Sequence, residues 1–305
     1  MNPIDIVSIS AAIVTIVIAI IGLASNIPIV YIFIKDPHQK TSFNTICVFR
    51  AFNNIYILIV QFILIVFLVV LFGNIFPPLV ETFFRMSSIN LYTGNQYQFV
   101  LIAINRFIAM FIPAHYDKIC NIKLFLLFLL LIYIKNGYAT YKNMDAFSRN
   151  NCSMIYDTQV FDAIYAPLGC TVPFDGFSQI INSAMYLGGT QVLNLLTFAK
   201  ILHFYATNDK GNQENQRKFR NNMKLFIQTT LQDSLYLIDT LFTFQLSKLS
   251  SSRPWLYFCT TVIWESIHTL DGLIMMMFNE RISFIRKKIW SEPSSNTTVF
   301  RTARI

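Results

Sequence analysis

Twice within its first 72 residues the chain runs apolar for long enough to cross a bilayer, over Ser8–Ile34 and again over Thr45–Phe72. A hydrocarbon core about 30 Å thick takes about 20 helical residues at about 1.5 Å each. Two such segments in succession make lipid the solvent that decides the fold. Composition agrees, since hydrophobic residues make up 54% of the 305 and charged residues only 13%. Soluble domains carry about 25% charge. Twenty-nine Phe beside ten Gly and ten Pro also exclude a disordered or collagenous chain.

Further spans are expected at roughly Phe83–Ile112, and at Ile122–Tyr141, Phe177–Tyr205, Met223–Leu246 and Trp255–Phe278. The first, second, fifth and seventh are the cleanest. The third begins polar, with Asn90, Thr93, Asn95, Gln96 and Gln98. The fourth is the weakest, because Lys135, Asn136 and Gly137 interrupt it after Leu124–Ile134. In lipid every backbone polar group must be satisfied within the segment, so seven spans predict an all-α membrane protein, a seven-transmembrane helix bundle. The segment Ala206–Asn222 is polar and basic and reads as a solvated linker.

A net charge of +8 would raise nucleic acid as a partner for a soluble chain. Here Lys and Arg are first of all topology signals, and no nucleic-acid partner is expected. With the amino terminus outside, the inner segments hold fifteen Lys and Arg and the outer ones six. Basic residues collect on the untranslocated side, so the amino terminus is expected outside and the carboxyl terminus in the cytoplasm. The first span has no basic residue before it and too long an apolar run for a cleavable signal.

Motifs for chemistry are missing. The sequence has no GxG, HExxH, GxSxG or CxxC, and His38, His115, His203 and His268 lie far apart. No enzyme, cofactor or metal is expected. No pair of broken helices sits at matching places in two halves, which argues against an inverted-repeat transporter.

Four strings carry a resemblance. The third span ends Ala103-Ile104-Asn105-Arg106-Phe107, followed by Pro113 and Tyr116. This is similar to the inner end of helix three in rhodopsin-type G-protein-coupled receptors. Ser42-Phe43-Asn44-Thr45-Ile46-Cys47 with Arg50 and Asn53, Leu225-Phe226-Ile227-Gln228 with Gln232-Asp233, and His268-Thr269-Leu270-Asp271-Gly272 with Phe278-Asn279 resemble the nematode serpentine chemoreceptors of class X, Srx. The strings fall in register on the expected spans. The resemblance implies a rhodopsin-like receptor of the plasma membrane that binds a small extracellular chemical and signals to a heterotrimeric G protein. A ligand-gated channel subunit or a transporter is the second reading, and an orphan structural or escort membrane protein the third. The departures are specific. Asn105 stands where rhodopsin-like receptors place an acid, so no acid–Arg lock is encoded. The sixth and seventh spans have no Pro, and the outer end of the third has no Cys to bridge to the second outer loop.

Several residues stand out within this frame. Arg106 reads either as an interfacial anchor or, by resemblance, as a cation that couples to the G protein together with Asn105 and Tyr116. Arg50, Asn54 and Gln61 fall within about 40° on the second span and should face the bundle. Gln228, Gln232 and Asp239 share a stripe on the sixth span, with Asp233 beside them; Glu265, His268 and Asp271 recur on the seventh. Polar helix packing is the commoner role for such groups, and ligand or ion sensing the alternative. A ligand is expected near the outer residues Gln96, Tyr97 and Asp239, with Asp233, Glu265 and His268 at mid-depth. Asp271 with Arg50 would carry the change inward.

Asn151-Cys152-Ser153 is a glycosylation sequon in the second outer loop. Cys152 and Cys170 share that oxidising compartment, where a bridge is favoured over two free thiols and is worth about 3 kcal/mol. Cys47, Cys120 and Cys259 read as reduced or buried. Residues 1–279 form the receptor domain. Residues 280–305 follow as a short cytoplasmic amphipathic helix, basic and apolar by turns over Glu280–Trp290, and a Ser/Thr-rich tail.

Overall fold

A computed structural model of the chain describes residues 5–167, 170, 176–207 and 213–279. Among them seven long helices follow one another: α1 (Ile6–Lys35), α2 (Ser42–Phe72), α3 (Pro78–Phe111), α4 (Ile122–Arg149), α5 (Gly176–Thr207), α6 (Gln213–Phe244) and α7 (residues 253–278). An antiparallel hairpin of β1 (Ser153–Asp157) and β2 (Asp162–Ala166) lies between α4 and α5, with Ser153 opposite Ala166. The expected amphipathic helix and tail lie outside the described residues.

Local sequence explains the helix ends. The Asp5 carboxylate accepts from the Ser8 amide (2.7 Å), the Thr41 hydroxyl from the Asn44 amide (3.2 Å) and the Asn121 side chain from the Leu124 amide (2.9 Å). Each satisfies a donor that the first helical turn leaves free. α2 ends at Gly73, whose φ of +78° suits glycine. α2 and α7 each contain a widened, i→i+5 bonded stretch, over Leu58–Phe67 and Tyr257–Val262. Such stretches re-aim a helix without Pro.

Three segments differ from the sequence reading. Part of Ala206–Asn222, expected as a linker, is helical, because α6 already begins at Gln213. α4 runs unbroken through Lys135, Asn136 and Gly137: the Asn136 side chain turns inward against Gly94, and the Lys135 ammonium sits over the Tyr97 ring. Among the described residues only α1, α2 and α4 are apolar enough to cross a membrane on composition alone, and α3 joins them when taken with the bent continuation Pro113–Ile119. α5 and α7, expected among the cleanest spans, fall short because each turns a polar face inward. Ser183, Thr190, Asn194 and Thr197 are buried along α5, and Thr261, Glu265, His268, Thr269 and Asp271 along α7.

The helices close into a bundle. α1 packs on α2 and α7, α3 on α2, α4, α5 and β1, and α6 on α5 and α7. α1 and α7 come closest at Gly22 and Gly272. A Cβ on Gly272 would sit 2.3 Å from Asn26 Nδ2, and one on Gly22 2.4 Å from Thr269 Oγ1.

Candidate functional site: a buried polar network, a hairpin plug and an open cavity

Lipid makes an unpaired polar group expensive, so polar side chains on membrane helices turn inward and pair with one another. Arg50 of α2 and Asp271 of α7 form an ion pair with no exposed surface on either side chain. Asn54 Nδ2 donates to Asp271 Oδ2 (2.8 Å) and Gln232 Nε2 to Asp271 Oδ1 (2.8 Å). The Arg50 guanidinium lies 3.9 Å from the centre of the Phe99 ring, a favourable cation–π contact. Asn54 Oδ1 accepts from Asn95 Nδ2 (3.0 Å) and lies 2.9 Å from His268 Nδ1, while Asn54 Nδ2 also reaches Asn26 Oδ1 (3.2 Å). Asn95 Nδ2 donates to the Tyr236 hydroxyl (3.1 Å), and Asn53 Nδ2 to Asn95 Oδ1 (2.8 Å). Tyr133 of α4 donates to Asn53 Oδ1 (2.6 Å). One connected network thus ties together α1, α2, α3, α4, α6 and α7.

At the hairpin end the bundle is plugged. The Thr82 hydroxyl accepts from the Met154 amide (2.8 Å), and the buried Glu81 carboxylate accepts from the Tyr156 amide. These two bonds fasten β1 to the start of α3, where no cysteine is present to do so. Phe161 and Tyr156 are buried, and the Phe161 carbonyl accepts from Thr260 (3.0 Å) and Thr261 (3.2 Å) of α7. Arg253 pairs with Asp5 and donates to the Thr158 carbonyl (3.0 Å), joining α7, α1 and the hairpin turn. Burial pushes the Glu81 carboxyl above its ordinary value, opposed by the Tyr156 amide and by Arg85. The hydrogen bond from Arg253 holds Asp5 down to about 2.

The opposite end is open. A cavity of about 430 Å³ is lined by Phe43, Cys47, Asn105, Arg106, Tyr116, Gln228, Met275 and others. Arg106 Nη1 donates to Thr229 Oγ1 of α6, and its guanidinium lies 5.2 Å from the Phe43 ring centre. Its Nε and Nη2 have no hydrogen-bond partner among the described residues. Asn105 Nδ2 donates to Ser42 Oγ (2.9 Å) and its Oδ1 accepts from Tyr116 (3.3 Å), which fixes the turn after α3.

Some of the expected pocket residues meet at Tyr92 of α3, which bonds Asp239 and lies against the His268 ring. Asp239 accepts from Tyr92 (2.6 Å) and Thr243 (3.2 Å). Gln96 Oε1 accepts from Ser183 (3.1 Å), and Asp233 Oδ2 accepts from Asn194 (2.5 Å). His268 belongs to the network. Glu265 is fully buried, and neither of its carboxyl oxygens has a partner among the described residues. Tyr97 is the departure: one residue beyond Gln96 it lies about 100° round the helix, and it meets Lys135 of α4 and Tyr186 of α5, away from Asp239. Cys152 and Cys170 are bridged, with Cα atoms 5.9 Å apart, and Cys47, Cys120 and Cys259 are buried and free. Asn151 is exposed at the turn entering β1, with φ +49°. Asn26, Glu81, Thr82, Tyr133, Thr229 and Tyr236 were not singled out by sequence. Only Asn26, a lone amide in an apolar run, carried a signal for it.

Two comparisons bear on this geometry. The profile of the family described as "Serpentine type 7TM GPCR chemoreceptor Srx" matches residues 16–279. A Caenorhabditis elegans protein, "Serpentine receptor class X 45", is 23% identical over 301 aligned positions, covering 90% of this chain and 80% of the relative.

Proposed function

The chain belongs to the Srx family of serpentine seven-transmembrane chemoreceptors, and on that premise we propose how it works as a G-protein-coupled chemosensory receptor. It sits in the plasma membrane with the hairpin outside and the carboxyl terminus in the cytoplasm. A small extracellular chemical binds toward the hairpin end near Gln96 and Asp239, above Asp233, Glu265 and His268 at mid-depth. The change passes through Arg50 and Asp271 to the open cavity, which receives a heterotrimeric G protein against Arg106, Asn105 and Tyr116. The basic asymmetry of the loops supports this orientation. Asn151 then lies where it can be glycosylated.

The observation that carries the reading is Arg106 itself, a buried guanidinium lining an open cavity with two nitrogens unpartnered among the described residues. A ligand shifts the balance of arrangements only by binding one more tightly than the other. Arg106→Ala should therefore leave surface expression near normal while abolishing G-protein activation. Loss of surface expression would instead mark Arg106 as an anchor. Current recording in the same cells separates a channel, and no observation in this structure favours that reading.

A further inference from the structure

A second cavity, of about 590 Å³, opens sideways from the bundle between α2, α3 and α4. Its walls include Tyr56, Leu91, Tyr133, Asn136, Gly137 and Met144. Gly137 lies fifteen residues along α4, about 22 Å from its Ile122 end. That is past the middle of a core about 30 Å thick, in the half nearer the hairpin. The groove therefore lies along the hydrocarbon from Tyr133 and reaches the outer edge of the core at Met144. Its volume lies in the range of small-molecule pockets, about 300–1,000 Å³.

Three features separate this groove from a chance gap between helices. No heavy atom lies within 4 Å of where a Cβ on Gly137 would sit, so at Gly137 α4 leaves the groove open. Asn136 is buried, yet its Nδ2 has no hydrogen-bond partner among the described residues. In lipid such a donor costs several kcal/mol, and Asn136 is one of the residues that line the groove. Finally, the Tyr133 wall is one end of the hydrogen-bond chain through Asn53, Asn95 and Asn54 to Asp271.

We propose that this groove is a ligand site entered from the bilayer, taking a neutral lipophilic molecule with one hydrogen-bond acceptor, a carbonyl or ether oxygen, that meets Asn136. None of the lining side chains is charged, which selects against ionic ligands. The hairpin is bonded across the ends of α3 and α7, whereas the groove opens between α2, α3 and α4, on the side where a molecule dissolved in the membrane would meet it. An occupant pressing on Tyr133 acts on the same network as Arg50 and Asp271. Only the signalling consequence rests on the receptor reading; binding does not.

The test uses the full chain in phosphatidylcholine nanodiscs, without G protein, and a diazirine analogue of tetradecan-2-one as the probe. Labelling should be saturable and concentrated on residues 133–144. Tetradecan-2-one should displace it at least ten-fold more effectively than tetradecane. Gly137→Leu, and independently Met144→Trp, should remove the saturable component while the protein stays monodisperse. Asn136→Leu should retain labelling but erase the preference for ketone over alkane. Non-saturable labelling equal to that of the lipid-facing Leu127 and Leu131, or saturable labelling that survives both blocking variants, overturns the site. Either failure leaves the receptor reading standing, because no signalling is measured.

Discussion

The Arg50 guanidinium and the Asp271 carboxylate meet where neither side chain has any exposed surface, joining α2 to α7 at the centre of the polar network. Desolvation takes back much of what the attraction provides, so such a pair is worth less intact than its loss would suggest. Removing one partner strands a charge. Asp271→Asn should therefore cost about 3–5 kcal/mol, whereas Arg50→Met combined with Asp271→Leu should recover most of that. Thermal unfolding in detergent measures both. A double variant no more stable than the single one would mean that Asn54 and Gln232, not the ion pair, hold the centre together.

Asp239 and Asp271 should differ in what they do to a response. Asp239 binds Tyr92 toward the hairpin end, whereas Asp271 lies deeper and contacts α2 and α6. Asp239→Asn should shift ligand potency with little change in maximal response. Asp271→Asn should lower the maximal response per receptor at the surface. Matching dose–response curves for the two variants would remove this division.

Much of the fold was legible in the sequence because lipid leaves a chain few choices. Span positions follow from length, and inward faces follow from polar spacing: Arg50, Asn54 and Gln61 are all buried, as are Gln228, Gln232 and Asp239. The partners of those residues were not legible. That Asn54 meets Asn95 and Asn26 depends on how α1, α2 and α3 are rotated against one another, which hydropathy does not encode. α5 and α7 misled for the same reason: they are apolar outside and polar inside, so an average over the helix hides both faces. Tyr97 was assigned to the pocket by depth alone, and depth leaves the rotation about α3 open. The hairpin was missed because its fastening uses main-chain amides of Met154 and Tyr156, which have no sequence signature.

The hairpin plug should respond to pH through Glu81. Burial raises its carboxyl above the ordinary 4.5; the charged group facing it is Arg85, which Asp162 in turn approaches from β2. Between 4.5 and the raised value the docked hairpin binds more protons than the undocked one, so docking strengthens as pH falls through that window and weakens as it rises. Glu81→Gln keeps an acceptor for the Tyr156 amide and should flatten the dependence. Hydrogen-exchange protection factors of the Met154 and Tyr156 amides, corrected for intrinsic rates, read this directly. Equal pH slopes in wild type and variant would assign the dependence to another group.

Among the described residues Arg106 hydrogen-bonds to α6 through Thr229. If this bond helps hold α6 against α3 at rest, Thr229→Val should raise basal G-protein activation several-fold without changing the amount of receptor at the surface. A hydrogen bond from a charged donor is worth about 1.5–3 kcal/mol, ample for a several-fold shift in such a balance. Unchanged basal activity, with Arg106→Ala still inactive, would mean that Arg106 acts on the partner and not on the resting arrangement.

The seam between α1 and α7 supports the network from beside, and its glycines test packing apart from helix propensity. A Cβ on Gly272 would lie 2.3 Å from Asn26 Nδ2 and 2.6 Å from Ser25 Oγ, and one on Gly22 would lie 2.6 Å from Leu58 Cδ1. Around Gly188 on α5 nothing lies within 4 Å. Gly→Ala within a helix gains about 1 kcal/mol where space allows, while overpacking costs about 1–3 kcal/mol. Gly188→Ala should therefore be neutral or stabilising in a detergent melt. Gly272→Ala should destabilise and should also pull Asn26 off the His268 carbonyl, to which it donates at 3.1 Å. Because Asn26 also contacts Asn54, that displacement reaches Asp271, so Gly272→Ala should lower the maximal response as well as the melting temperature. A loss of stability with an unaltered maximal response would separate the seam from the signal path.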